Sequence, residues 1–346
     1  MEEEKYMRRC IQIAQNGICT TAPNPMVGAV IVHNGQIIGE GYHIHCGQAH
    51  AEVNAIRSVK EPELLKESTI YVSLEPCSHY GKTPPCADLI IEKQIPRIVI
   101  GCRDPFSKVA GRGIQKLRDA GREVIVGVLE QECRHLIRKF ITFHTCQRPY
   151  ITLKWAESAD GFIDRQREGG SPVVLSSDLS SMLVHKKRCE HAAIMVGRRT
   201  ALLDNPSLNV RNWHGPSPVR IVIDKELSLP TSLKLFDQQT PTLVFTAQER
   251  TSLPNLQFIN TDFSQDILPQ IMDTLYQAKL QSLLVEGGST LLQSFIDKGL
   301  WDEAFVEECP QILSEGVAAP TMPQHIAYSR ESHFSRFYRH YTKTSL

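Results

Sequence analysis

The sequence predicts an α/β protein of two domains, on three observations. Strand-length apolar runs alternate with helix-period stretches along the chain, the sign of helices layered on a largely parallel sheet. This pattern restarts around Gln147-Arg148-Pro149-Tyr150, which divides the chain into 1–146 and 147–346. The length, 346 residues, suits two domains of about 100–200 residues each. No internal repeat relates the halves.

Each element has its own warrant. Tyr6, Met7, Cys10, Ile11 and Ala14 recur at helical spacing across 3–16. Val27 to Val32 reads as a strand, His33-Asn34-Gly35-Gln36 as a hairpin turn and Ile37 to Gly41 as its partner. Then follow a helix from His50 to Val59, a strand from Thr69 to Leu74, a helix from Ala87 to Lys93 and a strand from Arg97 to Gly101. Gly113 to Ala120 continues as helix, Val124 to Val128 as strand and 130–143 as helix. The second half opens with a strand from Tyr150 to Trp155 and has further strands at 192–197, 219–223, 242–246 and 282–286, with helices at 266–279 and 289–298. From Glu315 the periodicity is weak, and both a closing strand pair and a loose tail over 316–346 stay open.

Composition narrows the function. Lys+Arg and Asp+Glu both number 38, and the basic clusters Lys186-Lys187-Arg188 and Arg198-Arg199 are short. A chain that grips many nucleic-acid phosphates carries a basic excess or stripe, so small polar substrates fit better. The acidic start, Met1-Glu2-Glu3-Glu4-Lys5, is not followed by a signal-peptide core. No apolar run reaches the roughly 18 residues that a membrane span needs. The expectation is a cytoplasmic chain whose cysteines are thiols or ligands. Cys10, Cys19, Cys46, Cys102, Cys133, Cys146, Cys189 and Cys309 are expected to have no catalytic role.

The most informative chemistry lies in His50-Ala51-Glu52 and the downstream Pro76-Cys77 and Cys86. One imidazole and two thiolates leave the fourth tetrahedral position of a zinc ion to water. Bound zinc lowers the pKa of that water towards about 7, and Glu52 would take its proton and hand it to a leaving amine. Cys77 follows the strand 69–74 and Cys86 sits where the next helix starts, and the unpaired backbone N–H groups of a helix N-terminus favour thiolates. This is the known arrangement of zinc deaminases, except that eight residues rather than two separate the cysteines. The competing reading is a structural zinc site with His79 or His45 as fourth ligand.

With the stretches Pro23-Asn24-Pro25-Met26-Val27-Gly28, Gly39-Glu40-Gly41-Tyr42-His43, Leu74-Glu75-Pro76-Cys77-Ser78-His79, Gly81-Lys82-Thr83-Pro84-Pro85-Cys86 and Gly111-Arg112-Gly113-Ile114, the first half resembles the deaminase half of the bifunctional riboflavin-biosynthesis deaminase–reductase family. The resemblance implies a cytidine-deaminase-like three-layer α/β/α fold, one Zn2+ per chain on His50, Cys77 and Cys86, and Glu52 as the catalytic residue. It further implies that His79 and Lys82 contact a phosphoribosyl-pyrimidine, lysine suiting the phosphate as a flexible point charge. Asn24 would hydrogen-bond the pyrimidine edge; on composition alone it is equally a turn-former. His43 reads as a satisfied structural histidine.

The second half has no G-x-G-x-x-G. It has an apolar strand running into Glu286-Gly287-Gly288-Ser289 and a helix, a turn that lets N–H groups approach an anion or serves structure alone. With Lys154-Trp155-Ala156, Gly197-Arg198-Arg199-Thr200, Asp204-Asn205-Pro206 and Arg220-Ile221-Val222-Ile223-Asp224 it resembles the reductase half of the same family. That implies a dihydrofolate-reductase-like α/β fold, NADPH as cofactor, and reduction of a ribosyl to a ribityl chain. By position, Thr200, Asp204 and the turn Gly288, Ser289, Thr290, Leu291, Leu292, Gln293 and Ser294 fall to the nucleotide. Arg188, Leu208, Arg211 and Glu286 fall to the substrate, the arginines suiting its phosphate. The family's Trp-Ile-Thr is here Val174-Leu175-Ser176 and its Asp-Asp-Pro is Asp204-Asn205-Pro206, which removes an aromatic wall worth roughly 1–3 kcal/mol of apolar contact. The family tends to form homo-oligomers. Two alternatives stand beside this reading: a deaminase carrying a degenerate reductase-like scaffold, and a nucleic-acid-binding editing protein.

Overall fold

A computed structural model describes residues 2–78, 84–105 and 111–343. The chain divides into two compact units, Met1–Gln147 and Arg148–Ser345.

In chain order the first unit contains α1 (Glu2–Ala14), β1 (Gly28–His33), β2 (Gln36–Tyr42), α2 (Ala51–Ser58), β3 (Thr69–Leu74), α3 (Cys86–Glu92), β4 (Arg97–Cys102), α4 (Arg112–Asp119), β5 (Glu123–Val126), α5 (Glu130–Leu136) and α6 (Arg138–Cys146). Its sheet has the order β2-β1-β3-β4-β5. β1 runs antiparallel to β2 and β3, whereas β3, β4 and β5 are parallel. The sheet is therefore mixed rather than largely parallel. The cause is local: Asn34 (φ 46°) and Gly35 (φ 75°) form a two-residue turn, which can only return the chain antiparallel. The single helix expected over 130–143 is two, broken at Ile137 (φ −102°, ψ 20°).

Side chains alternate across this sheet with a period of two. Ala29, Ile31, Ile70, Val72, Ile98 and Ile100 share one face with α2, α3 and α4. Val30, Val32, Tyr71 and Val99 share the other with α1 and α5. Both faces are covered, which makes three layers and puts α2 and α3 side by side. Gly41 permits this: a Cβ there would lie 2.3 Å from Ala55 N and 2.7 Å from Ala51 O, so β2 and α2 meet backbone to backbone.

The second unit contains β6 (Tyr150–Glu157), β7 (Phe162–Asp164), α7 (Asp178–Cys189), β8 (Ala193–Val196), α8 (Arg198–Asp204), β9 (Val219–Ile223), β10 (Thr242–Thr246), β11 (Leu256–Asn260), α9 (Ile267–Gln277), β12 (Ser282–Glu286), α10 (Ser289–Asp297), β13 (Glu303–Glu308), β14 (Val317–Ala318), β15 (Tyr328–His333) and β16 (Arg336–Thr342). The large sheet has the order β11-β10-β9-β8-β12-β6-β13-β16-β15, parallel as far as β13 and closed by antiparallel β16 and β15. The region beyond Glu315 thus ends in a strand pair. Ile151, Leu153, Met195, Ile221, Leu283 and Val285 face one core, and Ile194, Val196, Val222 and Leu284 the other.

Helix α7 carries no periodic apolar signal, because it buries Ser180, His185 and Cys189 instead of an apolar stripe. Its signals were at its ends. Ser177 caps it by accepting Ser180 N–H, and Lys186, Lys187 and Arg188 occupy its last turn. Strand β13 was missed because Glu303 and Glu307 are buried in it. Among the described residues no helix is long and apolar enough to cross a membrane.

Candidate active sites

In the first unit three metal-ligating side chains converge. One ligand atom each from His50, Cys77 and Cys86 lie within 4.8 Å of one another. His50 Nδ1 is 3.6 Å from Cys77 Sγ and 3.4 Å from Cys86 Sγ. His50 is the residue before α2, in extended conformation (φ −73°, ψ 167°), and Cys86 opens α3. Cys77 follows β3 and accepts the Cys86 backbone N–H at 3.3 Å. Cys86 hydrogen-bonds to Cys77 and, with His50, holds the Cys77 thiol well below its ordinary value. The same hydrogen bond and burial push Cys86 up. A dication between them would relieve this competition by stabilising both thiolates, so the donor set fits zinc. His45, among the described residues, does not join the cluster.

Glu52 occupies the second position of α2 and is 3% exposed. Because His50 lies outside the helix, two residues suffice to bring ligand and carboxylate to the same mouth, which a regular helix would not allow. Burial, reinforced by the Cys77 thiolate, pushes the Glu52 carboxyl up to about 7. Asn24 Nδ2 lies 3.1 Å from His43 Nε2, and His43 Nδ1 lies 3.1 Å from Ala49 O. Burial holds His43 below its ordinary value, so it is neutral, donates from Nδ1 and accepts the Asn24 amide. Its ring also stands edge-on to His50 at 5.4 Å. His43 is thus the satisfied structural histidine expected of it, and it also links the expected pyrimidine contact to the ligand histidine. Glu75 carries a role that the sequence did not signal. Its buried carboxylate accepts N–H groups from Asp104, Gly111, Gly113 and Ile114, pinning α4 beside the strand that leads to Cys77. His79 and Lys82 lie outside the described residues.

The second unit carries a cleft of about 810 Å³, within the usual size of ligand sites. Thr200, Asp204, Gly288, Ser289, Thr290, Leu291 and Ser294 line it, as do Arg188, Leu208 and Glu286. Gly287 and Gly288 have φ of 78° and 79°, so the turn bends as only glycine does without strain, and its N–H groups lead into α10. Such a turn fits the pyrophosphate of a dinucleotide. Leu292 instead points into the core, and Gln293 holds Thr321 N–H and Asp297 outside the cleft. Helical rotation separates these two side chains from their neighbours.

Arg188 and Glu286 form a two-point ion pair (3.1 and 2.7 Å), and Arg188 also donates to Asn209 O at 3.2 Å. Burial opposes ionisation of Glu286, but Arg188 and Lys154 overcome it and hold the carboxyl low. Most Arg188 donors are therefore engaged. Arg211 is exposed and outside the cleft lining, with its guanidinium on Asn209. The Asn205 departure has a conformational reason: at the end of α8 it adopts the left-handed region (φ 41°) and accepts Lys234 N–H at 2.7 Å. Lys154 and Arg167 also line the cleft; sequence reading assigned neither a role.

Residues 1–102 match the cytidine and deoxycytidylate deaminase zinc-binding region, and residues 149–333 match the RibD C-terminal domain. The riboflavin biosynthesis protein RibD of Aquifex aeolicus is 40% identical over 324 residues, spanning 91% of this chain and 89% of its own. That of Escherichia coli is 35% identical over 343 residues, 93% of this chain and 92% of its own. The chain belongs to the RibD family. The crystal structure of a diaminohydroxyphosphoribosylaminopyrimidine deaminase/5-amino-6-(5-phosphoribosylamino)uracil reductase from Thermotoga maritima superposes with a TM-score of 0.90 at 37% identity, covering 99% of this chain and 98% of that one. RibD of Acinetobacter baumannii gives 0.88 at 31%, with 99% of each chain covered. As a RibD protein, the chain is a bifunctional enzyme of riboflavin biosynthesis, with a cytidine-deaminase-like zinc domain followed by a dihydrofolate-reductase-like domain that uses NADPH.

Proposed function

We propose that this chain deaminates 2,5-diamino-6-(5-phosphoribosylamino)pyrimidin-4(3H)-one to 5-amino-6-(5-phosphoribosylamino)uracil, then reduces the ribosyl to the ribityl chain with NADPH. The observation that carries the first step is a buried carboxylate, Glu52, at the mouth of a His50–Cys77–Cys86 triad. Zinc held by those three residues supplies a Lewis acid and an activated water. Glu52 would accept a proton there and return it to the leaving amine, its carboxylate form favoured by a dication held on His50, Cys77 and Cys86. Asn24, oriented by neutral His43, hydrogen-bonds the pyrimidine edge, and His79 and Lys82 serve the phosphoribosyl end.

For the second step, Thr200, Asp204 and the turn from Gly288 to Ser294 hold the dinucleotide, with Leu292 and Gln293 contributing backbone only. NADPH supplies the hydride that the sugar carbon accepts. Lys154, beside Glu286 and Arg188 in the cleft lining, is the acid positioned to supply the accompanying proton. Leu208 lines the substrate end, and Arg211, exposed outside that lining, would meet only a substrate phosphate that reaches beyond it. The zero net charge supports a small-molecule substrate without nucleic-acid or membrane partners. We further assign the enzyme to the cytoplasm as a homo-oligomer.

Replacing Glu52 by Gln keeps the side chain's size and removes its proton shuttle. Ammonia release should fall by about 10²–10⁴-fold while metal analysis still finds one zinc per chain. Wild-type release by Glu52→Gln would refute the assignment.

A further inference from the structure

The segment 165–176 forms one rim of the second unit's cleft, where Gln166, Arg167, Pro172, Val173, Val174 and Ser176 contribute to the lining. Val174 is 78% exposed and gives the rim little apolar wall. The rim is instead tied down by charge. Arg167, with its side chain only 10% exposed, donates Nε to Asp164 at 2.7 Å, one Nη to Asp204, and the other Nη to Gly170 O at 3.1 Å and Leu203 O at 3.3 Å. Asp164 in turn accepts the N–H groups of Arg165 (2.9 Å) and Val173 (3.1 Å). The far end is fixed by Ser176, whose hydroxyl donates to buried Glu307 at 2.6 Å.

We propose that Arg167 is a positioning residue for NADPH binding, a latch that joins Asp164 to Asp204 and so sets the rim of the cleft. Two carboxylates on the edge of a cleft that receives a pyrophosphate would repel both each other and the ligand. One guanidinium neutralises them together, and its planar fork suits two carboxylates and two carbonyls at once, which a lysine ammonium cannot match. Leu203 O and Asp204 belong to the last turn of α8, where exposed carbonyls favour a cation. Burial and Asp164 push the Asp204 carboxyl up while Arg167 pulls it down, so the loss of Arg167 leaves Asp204 reluctant to stay ionised.

The inference rests on reading this cleft as the NADPH site, and the test separates the two. In the full-length zinc enzyme, Arg167→Met should raise the NADPH Kd and KM about tenfold or more, with kcat within about twofold and ammonia release unchanged. Arg167→Lys should fall in between, and Asp164→Asn in the Arg167→Met background should recover part of the loss by removing one unpaired charge. A merely structural arginine would lower the melting temperature and the active fraction but leave the NADPH KM of the remaining enzyme unchanged, and that result overturns the proposal. Gly288→Val is the control for the site itself. If it weakens NADPH binding and Arg167→Met does not, the latch is refuted; if neither does, the cleft reading falls with it.

Discussion

In the first unit the reacting groups come from two short stretches, 50–52 and 77–86, while the second unit's cleft draws on β6, the 165–176 rim, α7, α8, β12 and the start of α10. The metal triad needs only that α2 and α3 start beside each other on one face of a sheet, and Gly41 lets α2 press close enough. The cleft needs residues 132 positions apart to share a surface, as Lys154 and Glu286 do through adjacent strands β6 and β12. Local construction makes a site that one ion can organise or abolish. Distributed construction makes one that depends on pairings such as Arg188 with Glu286 and Arg167 with Asp204.

Metal removal breaks this comparison most sharply. Dialysis against a chelator should abolish ammonia release outright, while NADPH-dependent reduction of the deaminated intermediate continues, because no described residue of the cleft is a member of the metal cluster. Returning zinc should restore deamination. Loss of both activities in parallel would show that the two sites are not built independently.

That contrast also explains what could be read from the chain alone. His50, Glu52, Cys77 and Cys86 were legible because zinc chemistry restricts residue type and spacing so tightly. Strands such as Thr69–Leu74 and 282–286 were legible because apolar residues occupy both their faces. Arg167 and Lys154 carry no such signature; a lone basic residue acquires meaning only from partners that folding supplies. Ser176 and Glu307 illustrate the same limit, being 131 residues apart yet hydrogen-bonded. A buried glutamate inside a strand breaks the apolar pattern that reveals strands, so the feature that makes β13 informative also concealed it. The mixed pairing of the first sheet is different: its Asn34-Gly35 turn was visible, and the expectation of a largely parallel sheet gave that turn too little weight.

The second unit's dependence on buried pairings can be tested with pH. His185 is 1% exposed, and burial together with Arg188 and Arg211 pulls its pKa down from 6.5 to about 4. The native state therefore resists a proton that the unfolded chain accepts. Its contribution is complete above about pH 6.5, is lost as the pH falls towards about 4, and levels off below that, a change on the order of 3 kcal/mol. The stability difference between wild type and His185→Gln in denaturant titrations should shrink over the same window. A difference that stays constant with pH would mean that His185 does not titrate between the two states, and the buried cationic end of the cleft would need another account.

The smallest expected effect sharpens the comparison at the exposed rim of the cleft. Val174→Trp puts a large apolar surface on a rim position that is now 78% exposed. A fully buried aromatic contributes several times more than this partly open position allows, so the gain should be on the order of 1 kcal/mol or less, a several-fold lower NADPH Kd. Fluorescence titration of the cofactor measures it, with ammonia release as the control. If Arg167 holds the rim in its binding position, the gain should survive in the single variant and diminish in Val174→Trp/Arg167→Met, because an aromatic ring on an unlatched segment loses its fixed place against the cofactor. Additive effects would mean that wall and latch act on NADPH separately, and that the aromatic the chain lacks was never doing the latch's work.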